Sequence, residues 1–157
     1  HLAVLHGRDV LYIVEERARN RPSLVSDVGV RLPAHLTASG RAILAELPAA
    51  QLRSLYGKRA DFVSRTAVTG PAKPAELRAL LAEVRRDGIA TEFGEVTDTL
   101  ASVSAVVRDH TGWPVAAVAL TFVESQVTAG DRERFGQAAH HAADEVSRRL
   151  LGSRPQG

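Results

Sequence analysis

At 157 residues the chain has the length of one domain, or at most two small ones, which excludes repeat arrays and large multidomain enzymes. Apolar residues make up 45% and charged residues 24%, so a packed core is available and wholesale disorder is excluded. Twenty Lys and Arg against eighteen Asp and Glu leave a formal charge of +2. The pI near 9.5 therefore reflects arginine usage rather than a nucleic-acid footprint, since Lys58 and Lys73 are the only lysines.

Cysteine is absent, which removes disulfides, thiolate nucleophiles and Cys-based zinc sites. No apolar run reaches the ~20 residues of a membrane helix, and the start HLAVLHGRD lacks the features of a signal peptide. A cytoplasmic location is the expectation, with no membrane partner.

Leu2 to Leu5 and Val10 to Glu15 are apolar runs broken by His6-Gly7-Arg8-Asp9, which reads as a hairpin. A chain that begins inside a sheet leads us to expect preceding sequence. Ala18 to Pro33 is irregular, with one brief strand expected at Leu24 to Val28. Thr37 then offers an N-cap to a helix carrying Ile43, Leu44 and Leu47, and Pro48 opens a second carrying Leu52, Leu55 and Tyr56. Gly57 stands where a left-handed C-terminal cap is expected. Lys58 to Pro74 has no clear period and reads as a loop.

From Pro74 the residues Leu77, Leu80, Leu81 and Val84 follow helical spacing up to Gly88. Three strands are expected next, at Ile89 to Gly94, Leu100 to Val107 and Val115 to Phe122, the last two joined as a hairpin by RDHTGWP. Thr128 to Asp131 has the spacing of a capping box. The helix after it runs to about Leu151, with Phe135, Ala138, Ala139, Ala142, Val146 and Leu150 on one stripe, and the tail 153–157 is expected to fray. Segregated strands and helices predict an α+β domain with an antiparallel sheet.

Catalytic templates are missing: there is no G-x-S-x-G elbow, P-loop, G-x-G-x-x-G or H-E-x-x-H. The six histidines show no i, i+4 pair on a helix, so no metal or cofactor is expected, and His140 and His141 read as helix-surface residues. Glu92, Glu95 and Asp98 form a carboxylate cluster without a second positioned group. Alternation puts Glu92 opposite Ile89, Thr91 and Phe93, facing a pocket or solvent, with solvent the default. The helix start Thr37-Ala38-Ser39-Gly40 combines small side chains with free amides able to receive a carboxylate, although ordinary capping by Thr37 is the commoner use of such residues.

Residues 28–47, VGVRLPAHLTASGRAILAEL, resemble a block of the effector-binding domain of bacterial regulators of the isocitrate lyase regulator (IclR) family. The resemblance continues through LRALLAEVRRDGIATEFGE and LASVSAVVRDHTGWPVAAVALT into the last helix, and covers nearly the whole chain in the right order. It implies a GAF/PAS-like six-stranded antiparallel sheet with helices on both faces, over residues 1–152. It further implies a pocket for a small metabolite, often an organic or aromatic acid. A preceding winged helix-turn-helix, the sole DNA contact, and association into a homodimer or homotetramer are implied as well.

Carried over position by position, the resemblance assigns ligand contacts to Arg21, Leu24, Ala38, Ser39, Glu92, Ser102, Ala119 and Thr121. Asp98-Thr99 replaces the family's usual Pro-Gly, and Val106 its usual proline. An ionised Glu92 would repel an anionic ligand, so Glu92 is expected either to meet a ligand hydroxyl or to be offset by Arg21. A non-catalytic metabolite sensor is thus the leading reading, and a GAF-like sensor module of another signalling protein is the alternative. An enzyme on this scaffold, such as a methionine sulfoxide reductase, would need the cysteine this chain lacks.

Overall fold

In the computed structural model, which describes residues 1–17 and 28–151, one antiparallel sheet is built from two hairpins brought side by side. Its strands are β1 (Leu2–His6), β2 (Asp9–Val14), β3 (Arg31–Pro33), β4 (Ala90–Phe93), β5 (Leu100–Arg108) and β6 (Pro114–Val123), in the order β3-β2-β1-β6-β5-β4. The helices are α1 (Ala38–Leu44), α2 (Ala49–Leu55), α3 (Pro74–Asp87) and α4 (Ala129–Leu150). The expected six-stranded α+β architecture is therefore the one found.

Each hairpin turn has a local cause. Gly7 takes a positive φ of 62° between β1 and β2, and Gly112 one of 84° between β5 and β6. In the second turn the Asp109 carboxylate accepts from the Thr111 and Trp113 backbone amides. β6 then pairs with β1 through Leu2–Val118 and Ala3–Ala117, joining the hairpins at the sheet centre.

The two faces carry different cores. Val103, Ala105, Val107 and Ala116 pack against Ala139 and Ala143 of α4. Ala90 and Ala117 on the other face meet Ala42 and Ile43 of α1. Alanines keep both helices close to the sheet, and Gly136 serves the same end, since a Cβ there would lie 3.1 Å from Ile89. All seven α1 residues are buried, because α3 and the segment before α3 cover its outer side.

The helix ends follow their caps. Thr37 accepts from the Gly40 amide, and Thr128 and Asp131 complete the capping box at α4. Pro74 opens α3, and Gly88 closes it with a left-handed φ of 73°.

Several expectations need correction. Gly57 does not take a left-handed conformation, and Tyr56 is the C-cap of α2. Glycine is required at 57 by proximity instead, since a Cβ would lie 2.8 Å from the Arg53 carbonyl oxygen. The segment after it contains a 3-10 turn at Arg59–Asp61. Of the brief strand expected at Leu24 to Val28, residues 24–27 lie outside the described residues and Val28 is in a turn, while Arg31–Pro33 forms the third strand. The strand expected from Ile89 to Gly94 is shorter, Ala90–Phe93. Ala138 and Leu150 are exposed, and Gly136, Ala139 and Ala143 form the buried stripe of α4. The tail lies outside the described residues.

Candidate ligand-binding cavity

A narrow cleft lies between the sheet and the start of α1, with about 400 Å³ of unfilled space that includes open solvent at its mouth. Its floor follows from strand register. Glu92 pairs with Ser102 across β4 and β5, and Ser102 with Thr121 across β5 and β6, so three polar side chains form one row. The adjacent row on the same face is Ala90, Ser104 and Ala119, whose small side chains leave space above the sheet.

Thr37, Ala38 and Ser39 close the cleft from the cap and first turn of α1, Tyr12 and Leu32 from β2 and β3, Val96 and Thr97 from the β4–β5 connection, and Leu100 from the start of β5. α1 can start this close because residue 40 is glycine: a Cβ there would lie 2.1 Å from the Ala34 carbonyl oxygen.

Six of the eight positions singled out from the sequence, Ala38, Ser39, Glu92, Ser102, Ala119 and Thr121, thus line one cavity. Arg21 and Leu24 lie outside the described residues. Solvent, the default for Glu92, is wrong: the residue is 3% exposed, because α1 covers the face of the sheet on which it lies. The departures from the family pattern differ in consequence. Val106 keeps regular pairing with Ala117 and does not line the cleft. Thr99, between the lining residues Thr97 and Leu100, takes φ +72°.

The polar groups are only partly matched. Ser102 Oγ and Thr121 Oγ1 are 2.8 Å apart and hydrogen-bonded, and Ser104 Oγ donates to the Val118 carbonyl at 2.8 Å. Ser39 Oγ is buried and has no hydrogen-bond partner among the described residues. Beside it, burial pushes the Tyr12 phenol up to about 12, with the Ser39 hydroxyl pulling weakly the other way, so Tyr12 keeps its proton.

Burial likewise pushes the Glu92 carboxyl up to about 7, reinforced by the nearby Glu95 carboxylate and opposed by the backbone amides of Glu95 and Val96 and by Arg41. The Glu95 amide donates to Glu92 Oε2 at 3.1 Å.

Beneath this edge Arg41 forms a two-pronged ion pair with Glu95, at 3.0 Å to Oε2 and 2.5 Å to Oε1. The same guanidinium donates to the carbonyls of His35 and Thr91, each at 2.8 Å. The pair ties α1 to the connection after β4, and so fixes two walls of the cleft.

Among the described residues no histidine lines the cleft, and the Ser102 and Thr121 hydroxyls are bonded to each other rather than to a base. Such a site can orient a ligand through hydroxyl, phenol and carboxyl groups against the apolar walls of Leu32, Val96, Leu100 and Ala119. Among the described residues no group of three His, Asp or Glu is arranged to hold a metal, and no helix is long and apolar enough to cross a membrane. Thr37 was singled out only as part of the helix start and its cap, and Tyr12, Leu32, Val96, Thr97 and Leu100 were not singled out as site residues.

A twisted antiparallel sheet, helices on both faces and a polar-floored cleft at a helix start define the effector-binding class of regulatory domain. The chain belongs to the bacterial transcriptional regulator IclR C-terminal family, whose model matches residues 1–148. It is 32% identical over 154 residues to the Pca regulon regulatory protein of Pseudomonas putida, covering 97% of this chain and 52% of that protein. Thermotoga maritima IclR superposes with a TM-score of 0.87 at 27% identity, covering 96% of this chain and 60% of that one.

A double mutant of the Acinetobacter PobR inducer-binding domain, solved with 3-hydroxybenzoic acid, shares the fold at 20% identity, with a TM-score of 0.79 over 93% of this chain and 85% of that one. The chain spans between about half and three-fifths of the curated relatives it matches. Those relatives are named as regulators, in line with a non-catalytic reading and against a sensor module of an unrelated signalling protein.

Proposed function

We propose that the cleft binds a small organic acid, with a hydroxylated or aromatic acid the best fit. The observation that carries this reading is the buried Ser39 hydroxyl, which makes no hydrogen bond of good geometry among the described residues and has the Tyr12 phenol beside it, in one cavity with the row of Glu92, Ser102 and Thr121. A ligand oxygen at Ser39 would satisfy a group that is costly to leave unmatched, and the apolar walls would hold the hydrocarbon part. Burial raises the Glu92 carboxyl to about 7, which supports this reading, because its protonated form can donate a hydrogen bond to an anion instead of repelling it. The same fold holds a hydroxybenzoic acid in the PobR inducer-binding domain.

In the whole protein, which we place in the cytoplasm, occupancy of the cleft would bias a dimer or tetramer between two arrangements read by a preceding winged helix-turn-helix. Such coupling needs different affinities of the ligand for the two arrangements. Arg21 and Leu24 would complete the ligand contacts, and Arg21→Ala is expected to weaken binding of an acid.

A thermal-shift panel of small carboxylic acids tests the reading, because a specific ligand stabilises the chain by RT ln(1 + [L]/Kd), about 2.7 kcal/mol at a hundredfold excess over Kd. One or more acids should raise the melting temperature saturably, with the corresponding alcohols inert. A panel with no saturable shift at millimolar concentration would refute it.

A further inference from the structure

A second cavity, with about 490 Å³ of unfilled space partly open to solvent, lies between α2 and α3. It shares no lining residue with the cleft at α1. Its floor is apolar and fixed: Tyr56 and Leu77 are 2% and 1% exposed, and the Tyr56 hydroxyl is tied to the Arg8 carbonyl at 3.2 Å. Leu52 and Pro74 form its walls.

Two cations stand over this floor, Arg53 from α2 and Arg78 from α3. Both are exposed, and among the described residues neither makes an ion pair, whereas neighbouring Arg8 is matched by Asp61 at 3.1 Å. Two cations at the rim of one cavity favour an anion between them, and a guanidinium binds a carboxylate through paired N–H donors. Recessed hydrocarbon under an anion-selective rim is complementary to a small amphipathic molecule; a flat protein partner would leave the recess unfilled.

We propose that the α2–α3 cavity is a second ligand site, which takes a monocarboxylate with its hydrocarbon body on Tyr56 and Leu77 and its carboxylate between Arg53 and Arg78. It is independent of the effector cleft, so a ligand could occupy either site alone.

Titration of the 157-residue chain with sodium octanoate, followed by backbone amide NMR, tests this assignment. Saturable shifts are expected at Leu52, Arg53, Tyr56, Leu77 and Arg78. Octanol should bind about tenfold more weakly or worse, and an Arg53→Ala/Arg78→Ala variant with an unchanged circular dichroism spectrum should lose affinity to a similar extent. Equal binding of octanol, undiminished binding by the variant, or shifts confined to Ser39, Ser102 and Thr121 would each overturn the proposal. Should the variant fail to fold, the octanoate–octanol comparison on the native chain decides alone. Saturation by an acidic peptide but not by octanoate would overturn it in favour of a protein partner.

Discussion

Ser102 Oγ and Thr121 Oγ1 form a hydrogen bond of 2.8 Å across paired positions of β5 and β6, on the floor of the cleft beside α1. Each hydroxyl is the other's side-chain partner, so removing one strands the other. Ser102→Ala and Thr121→Val should each cost about 1 kcal/mol, and the double variant less than their sum by a similar amount. Urea denaturation of the four chains measures this coupling, and strict additivity would show that the hydroxyls do not depend on each other.

Breaking the Arg41–Glu95 pair should be far more costly. The two side chains are only 3% and 11% exposed, and the partner left behind would be a buried, unmatched charge. Arg41→Met or Glu95→Leu is expected to destabilise the domain by about 3–5 kcal/mol. Arg41→Lys should recover only part of this, because an ammonium cannot reproduce the fork that reaches Glu95 and the His35 and Thr91 carbonyls together. Denaturation midpoints rank the variants, and a Lys variant as stable as the native chain would contradict this account of the network.

Glu92 makes stability depend on pH in a defined direction. Its carboxyl is raised from an ordinary 4.5 to about 7 in the fold, so the folded chain holds the proton more tightly than the unfolded one. The stabilisation this gives is complete below pH 4.5, is lost as pH rises through 7, and amounts to about 3 kcal/mol at full extent. His35 acts oppositely, because burial lowers its pKa and stability falls as pH drops below its ordinary 6.5. The native chain must therefore be compared with Glu92→Gln. The difference in unfolding free energy between them should grow in favour of Glu92→Gln from pH 5 to pH 8, and a flat difference would mean that Glu92 titrates normally.

Thr99 carries a backbone cost that a single substitution removes. A β-branched residue at φ +72° is outside its comfortable range, which glycine would occupy freely. Thr99→Gly should stabilise the domain by about 1 kcal/mol net of the entropy glycine adds to the unfolded chain. Thermal melts check this. Because Thr97 and Leu100 line the cleft, a change in ligand affinity in the same variant would show that the strained turn also shapes the site.

Local signals in the sequence placed much of this structure. The Thr37 cap, the Pro74 and Gly88 ends of α3 and the Ser102–Ser104 alternation all depend on neighbours within a few residues, and all stand in the fold. Glu92 shows where such reasoning stops. Alternation set it opposite Thr91, but only tertiary packing decides that α1 covers the Glu92 face of β4 and leaves Thr91 exposed. Arg41 and Glu95 are 54 residues apart, so their pairing left no trace in spacing although each lies in a block that resembles the family. The α4 stripe was misread at Ala138 because alanine fits a buried or an exposed helical position equally well.

The central claim, that the cleft between α1 and the sheet receives a small organic acid, is tested most directly by isothermal titration of the most stabilising acid into the native chain and into Ala119→Leu. The larger side chain would project from β6 into the cleft, and circular dichroism establishes that the variant is folded. The account predicts that the native chain binds the acid in the cleft and that Ala119→Leu loses this component, leaving at most the binding that Arg53→Ala/Arg78→Ala removes. Undiminished binding by the folded variant would contradict it.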